Sequence, residues 1–232
     1  MEPEDPPPRE QGSQAIQLPY HNRFETIWEY EEAYLSGQID FSSSIGDRCP
    51  ICRNLQCYRK ITPYRRYVIE LFPEFEKEWI SIARFICRKH RKTFSLLPFQ
   101  LIPYFQYTVG AVMGTLLLGM GSWQMGQKGF HGASVKVDEI DPESLVTPWL
   151  ITCWLVAVVQ GFHSGHAALR QFYNLDAIRT SGVWEETAAY FAAFGLKIDR
   201  FSLLMDLLYR YSRRTGQFFF GIPSQYRGSL RP

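Results

Sequence analysis

The residues whose types and spacing could do chemistry are Cys49, Cys52, Cys87 and His90. They stand as Cys49-Pro-Ile-Cys52 and Cys87-Arg-Lys-His90, two pairs each interrupted by two residues. At that spacing one tight turn aims both side chains at a single ion. Two such pairs supply the four ligands of a closed tetrahedral zinc site. A closed site has no open position for water, so this zinc would fold its surroundings and not activate a nucleophile. Cys57 is a further candidate, able to replace His90 or Cys52. Five cysteines in a chain of 232 residues also fit ordinary buried thiols. The second pair at matched spacing favours metal.

Between the two pairs the sequence reads as strands over residues 58–61, 67–72 and 78–87. The last has period-two patterning through Ile80 and Ile82, with Phe85 following less strictly. Turn, strands, turn is the layout of a zinc ribbon.

The run Ile82-Ala83-Arg84-Phe85-Ile86-Cys87-Arg88-Lys89-His90-Arg91-Lys92-Thr93-Phe94-Ser95-Leu96-Leu97-Pro98 is followed by Leu101-Ile102-Pro103-Tyr104 and Tyr107. It resembles a bacterial zinc-ribbon family, an uncharacterised domain of transposase-like proteins in which a helix-turn-helix region follows the ribbon. The resemblance spans residues 49–118 and is clear over 82–107. The last pair of such ribbons is usually C-x2-C; here His90 stands in the second position and can still ligate zinc. The resemblance implies a structural zinc and DNA binding in a mobile-element setting, with double-stranded DNA and a transposition protein as partners.

Charge distribution points the same way. Residues 48–92 hold 12 Lys and Arg against 4 Asp and Glu, whereas the whole chain is only +2. Such a basic segment suits a polyanion. Its candidates for contacting nucleic acid are Arg53, Arg59, Lys60, Arg65, Arg66, Arg84, Arg88, Lys89, Arg91 and Lys92, with Tyr58, Tyr64 and Tyr67 interleaved. Cations neutralise phosphates; tyrosines bond the backbone or stack on bases. Arg88, Lys89, Arg91 and Lys92 form the tightest group. A solvated strand face with no function is the plain alternative.

The elements that must position these residues follow from the rest of the chain. Residues 1–22 are Pro- and Glu-rich at first and read as disordered or linker. Residues 23–46 read as a short amphipathic helix and a Ser-rich linker, 47–98 as the zinc-ribbon module, and 99–232 as an α-helical domain with helix-turn-helix character. The expected class is thus α+β: a small zinc-ribbon β module followed by a mainly helical domain.

Residues 93–127 and 144–169 contain no charged side chain. Neither reaches the roughly 20 predominantly apolar residues of a spanning helix without polar interruption. Both read as buried helices, and a membrane role is not expected. In the second, Thr147 is an N-cap and Pro148 suits the first helical position, with the helix running to Tyr173. Helices over 183–194 and 199–214 follow, the latter capped by Asp199, with Phe218, Phe219 and Phe220 docked behind them.

The acidic residues Asp138, Glu139, Asp141 and Glu143 read as a loop between helices, Asp141 and Glu143 opening the next one. His163 and His166 share a helix face without a third ligand at motif spacing. No carboxylate cluster on strands, nucleophile pair or phosphate-binding glycine loop is evident, so no enzymatic activity and no catalytic residue are expected. The acidic, apolar-poor start and the cysteines in ligand spacing suggest a cytoplasmic protein. The reading is therefore a zinc-dependent DNA-binding protein, a transposon-associated accessory or regulatory factor. The alternative is a zinc-stapled interaction module whose apolar helices pair with a partner or a second copy; a membrane-anchored protein is less favoured.

Overall fold

A computed structural model describes residues 16–20, 23–72, 74–124, 129–173, 178, 182–197 and 201–220. Among them are seven helices and a four-stranded sheet, a mixed α/β architecture. The chain divides into two compact units. One comprises Met1–Tyr67 with Trp79–Pro98, and the other Val68–Glu78 with Phe99–Pro232.

The strands are β1 (Ile16–Tyr20), β2 (Tyr58–Glu70), β3 (Glu76–Cys87) and β4 (Thr93–Pro98), in the order β1-β4-β3-β2. Antiparallel pairing of β3 and β4 sets Phe85 opposite Phe94 and Ala83 opposite Leu96. The two phenylalanine rings stack with centroids 5.3 Å apart. Two departures from the sequence reading appear here. The separate strands expected over 58–61 and 67–72 are one continuous strand, Pro63 being carried on an outer strand of the sheet where an absent N–H is tolerated. Within 1–22, disorder does not hold for Ile16–Tyr20, which pair in parallel with β4, Ile16 in register with Phe94 and Leu18 with Leu96. Five residues containing a proline carry too weak a pattern to be read as a strand; the partner's apolar edge makes them one. Residues 1–15 and 21–22 lie outside the described residues.

Helix α1 (Ile27–Leu35) begins at Thr26, whose hydroxyl accepts the N–H of Glu29. It buries Ile27 and Tyr30. Tyr20, Tyr30, Phe41, Tyr58, Phe85 and Phe94 then form a chain of ring contacts that makes the core of this unit. The Tyr30 hydroxyl donates to the main-chain oxygen of Ser81 at 3.0 Å, which fixes α1 to β3. A single turn, α2 (Ser42–Ile45), leads to the first cysteine.

In the second unit, Thr108 caps α3 (Val109–Gln124): its hydroxyl accepts the Ala111 N–H and donates to the carboxyl of Glu70 at 2.6 Å. Helix α4 (Gly129–Ile140) packs on α3 where Gly119 lies so near Phe130 that an added methyl would meet the ring at 3.0 Å. Asp138 and Glu139 belong to the end of α4, correcting the loop expected there. Asp141 and Glu143 do not open α5 either. Both sit in the turn before it and bind the Lys77 ammonium, at 3.0 and 2.6 Å. A cation distant in sequence gathers them, which no local pattern reveals.

Helix α5 (Pro148–Leu169) starts with the expected Thr147 cap and Pro148, and ends at Leu169 instead of Tyr173. It buries Ile151, Trp154, Leu155, Val158, Val159 and Phe162. Against it lie α6 (Val183–Ala193) and α7 (Phe201–Thr215). The Phe162 ring stacks on Tyr190 at 4.5 Å. Phe218, Phe219 and Phe220 are buried, as expected of docked rings. Gly161 and Gly165 leave room for this approach: a methyl on Gly161 would meet the Phe219 carbonyl oxygen at 2.9 Å. The proposed Asp199 cap lies outside the described residues. Among those residues no helix is long and apolar enough to cross a membrane.

Candidate metal centre

Two turns with one backbone design carry the cysteines. In the first, the N–H of Arg53 donates to the oxygen of Cys49 at 2.8 Å, and the N–H of Cys49 to the oxygen of Asn54 at 2.9 Å. In the second, the N–H of Arg91 donates to the oxygen of Cys87 at 2.8 Å, and the N–H of Cys87 to the oxygen of Lys92 at 2.9 Å. Arg53 and Arg91 adopt φ of 61° and 58°, left-handed values uncommon for residues with a Cβ. Each turn therefore closes over its first cysteine in the same way and holds strain that a bound ion would offset.

The turns bring the Sγ atoms of Cys49, Cys52 and Cys87 within 4.8 Å of one another, Cys49 and Cys87 being fully buried. Cys57 approaches from the start of the following strand. Its carbonyl oxygen accepts the Arg88 N–H at 2.8 Å, and its Sγ lies 4.0 Å from that of Cys87. Ligands about 2.3 Å from one ion at tetrahedral corners stand about 3.8 Å apart. The thiols thus have the separation that one ion would span, and three to four of them are placed to hold it.

His90 takes a different part from the one its spacing suggests. The residue is exposed, its ring does not join the sulfur group, and its main-chain N–H donates to Cys87 Sγ at 3.4 Å. Cys57 supplies the fourth sulfur nearby, the substitution that the sequence leaves open.

Electrostatics favour a cation at this point. Burial opposes ionisation of Cys87, but the N–H groups of His90 and Lys89 and the neighbouring thiols of Cys52 and Cys49 outweigh it, bringing its thiol down to about 7. Burial, together with the thiols of Cys57, Cys87 and Cys49, pushes Cys52 up to about 12. A lowered thiol beside a raised one is what a compact sulfur cluster does without a counter-charge; a divalent cation would favour the ionised form.

The basic residues are distributed unevenly. Arg53, Arg59, Arg88, Lys89, Arg91 and Lys92 are exposed, whereas Arg66 and Arg84 are half-buried. Lys60 lies over the rings of Tyr34 and Phe41, at 5.1 and 5.0 Å. Arg65 donates to the main-chain oxygen of Trp79 at 2.6 Å. Arg88 also borders a shallow cavity of 740 Å³ with Ser42, Ser43, Gly46, Asp47, Gln56 and Tyr58. The four cations of the second turn thus flank the Cys87 sulfur on one loop.

The two histidines of α5 act apart. His163 Nε2 pairs with Glu186, and His166 Nδ1 with the Tyr190 hydroxyl at 3.0 Å, so both serve contacts to α6. Trp79 is not singled out from the sequence, yet it is 49% exposed on a strand whose neighbours Ile80 and Ile82 are fully buried. The signal that could find it is the period-two pattern itself, which sets residue 79 on the face opposite Ile80 and Ile82.

No family model, curated protein or solved structure matches the chain.

Proposed function

We propose that this protein is a zinc-dependent DNA-binding protein whose metal-held turns present a basic loop to the phosphate backbone. The observation that carries this reading is the placement of exposed Arg88, Lys89, Arg91 and Lys92 on the same turn that contributes Cys87 to the sulfur cluster. Zinc is the ion of choice because a set of thiolates at tetrahedral separation suits it, and because such a closed set is structural. Cys49, Cys52 and Cys87 would hold it, with Cys57 as fourth ligand. The ion supplies folding energy; Cys87 and its turn supply the geometry, and the cations supply the affinity.

The ribbon character, the transposon-associated accessory or regulatory role and a cytoplasmic setting belong to the same proposal. They rest on the resemblance of residues 82–107, the paired turns and thiols in ligand spacing. No catalytic role is assigned to any residue.

The test is metal content and duplex binding of the full chain. About one zinc per chain is expected, with binding that weakens as salt rises. Arg88→Ala with Lys89→Ala should reduce the slope of log affinity on log salt by about 2, one for each phosphate contact removed. A folded chain without metal, or without salt-sensitive binding, would refute the reading.

A second reading has its own support. Leu145 is 83% and Trp149 74% exposed, and Val156 and Cys153 are exposed on α5 beyond them. An uncharged apolar stripe of this kind fits a protein partner or a second copy. Concentration-dependent mass with no affinity for DNA would favour it.

A further inference from the structure

Trp79 is held open to solvent beside a cation. Tyr67 from β2 lies against it, with ring centroids 5.5 Å apart and planes at 57°. Arg65, two residues before Tyr67 on that strand, reaches across to the Trp79 carbonyl oxygen at 2.6 Å, so its guanidinium is held at the Trp79 main chain. Successive side chains of a strand point to opposite faces, so Arg65 and Tyr67 share a side while Glu78, adjacent to Trp79, points away from the indole's side. Single apolar residues at a surface need no function. Here, however, a large ring, a second ring that braces it and a positioned cation coincide; Arg59, Lys60, Arg65 and Arg66 lie on β2, while the four anions of residues 48–92, Glu70, Glu74, Glu76 and Glu78, all precede Trp79 in the chain.

We infer that Trp79, braced by Tyr67 and flanked by Arg65, is a stacking site for a base of single-stranded nucleic acid. The chemistry of the patch selects this partner. A duplex buries the faces of its bases in its own stack and offers Trp79 only phosphates and sugars. An unpaired base presents its π-face, and its phosphate lies within reach of a neighbouring guanidinium. The exposed Arg65 guanidinium held at Trp79 favours a polyanion over an apolar protein surface. This inference rests on the nucleic-acid reading and sharpens it: the loop of Arg88 to Lys92 binds phosphates of either form, and Trp79 distinguishes unpaired strands from paired ones.

The experiment compares a labelled oligothymidylate with a duplex of equal length, by fluorescence anisotropy on the full zinc-loaded chain. Trp79→Leu keeps apolar bulk and removes the ring; Trp79→Phe keeps a ring. The expected result is a loss of roughly tenfold in affinity for oligothymidylate with Trp79→Leu, near-native affinity with Trp79→Phe, and duplex affinity unchanged in both. Equal affinity of native protein and Trp79→Leu for oligothymidylate overturns the inference, as does an equal loss on duplex. If the native chain binds the duplex with salt dependence while Trp79→Leu changes affinity for neither form, only the stacking site is lost. If the native chain binds neither form, the nucleic-acid reading falls with it.

Discussion

The Glu31 carboxylate accepts both the main-chain N–H of Ser81, at 2.6 Å, and its hydroxyl, at 3.0 Å. Ser81 is buried, and its carbonyl is taken by Tyr30 from the same helix. Two consecutive side chains of α1 therefore do for this point of β3 what a neighbouring strand would do. Replacing Glu31 by Ala leaves a buried donor without its charged acceptor, a loss of about 2 kcal/mol. Urea denaturation of the full chain should show it as a lower midpoint with unchanged slope.

The sulfur geometry separates two ligand sets. With Cys57 as fourth ligand, Cys57→Ser should lower zinc affinity by roughly tenfold or more, and His90→Ala should leave stoichiometry and affinity near native. The reverse outcome, read in a competition titration against a chelator, would restore His90 to the site.

Glu70 makes stability depend on pH. Burial raises its carboxyl from the ordinary 4.5 to about 8, against the opposing hydrogen bond from Thr108. The folded state then binds this proton more tightly than the unfolded state. Its contribution is full below about 4.5 and is lost as pH rises through about 8. Glu70→Gln should flatten this part of the profile and stabilise the protein at alkaline pH by a few kcal/mol at most, since a tenfold change in proton affinity corresponds to about 1.4 kcal/mol. Unfolding midpoints of both proteins, measured at about pH 4 and about pH 9 on either side of the transition, provide the check.

Gly161 marks the closest approach in the helical unit. An added methyl would lie 2.9 Å from both the Phe219 oxygen and the Phe220 ring. Gly161→Ala gains helix propensity worth about 1 kcal/mol, yet the clash should outweigh it and destabilise the protein by about 1–3 kcal/mol. A higher melting temperature for the variant would show that the rings can move aside.

Much of this was legible where the signal is local. Thr147 and Pro148 begin α5, Gly195 with φ of 63° follows α6, and Cys49, Cys52 and Cys87 converge. Each depends on residues a few positions apart or on a spacing with one chemical meaning. The misreadings share the opposite cause. Strand β1 exists because β4 offers it an edge, and Asp141 with Glu143 turns on Lys77 from far earlier in the chain. Cys57, left open in the sequence as a replacement ligand, belongs to no spaced pair; a hydrogen bond from the Arg88 N–H to its carbonyl oxygen accompanies its place beside Cys87. Long-range partners of this kind leave no periodicity to read.

The parallel pairing of β1 with β4 bears on the order in which the first unit assembles. Ile16 is in register with Phe94, and the turns, β2 and β3 all lie between them in the chain. Closing so long a loop is slow relative to local pairing, so β1 is expected to join last. Until it does, the side of β4 that β1 covers is an open strand edge, bordered by buried residues from Phe94 to Pro98. During that interval a corresponding strand from another chain can take the place of β1. On this expectation β1 would serve as an intramolecular guard against strand exchange, its rate of docking setting how long the β4 edge stays open.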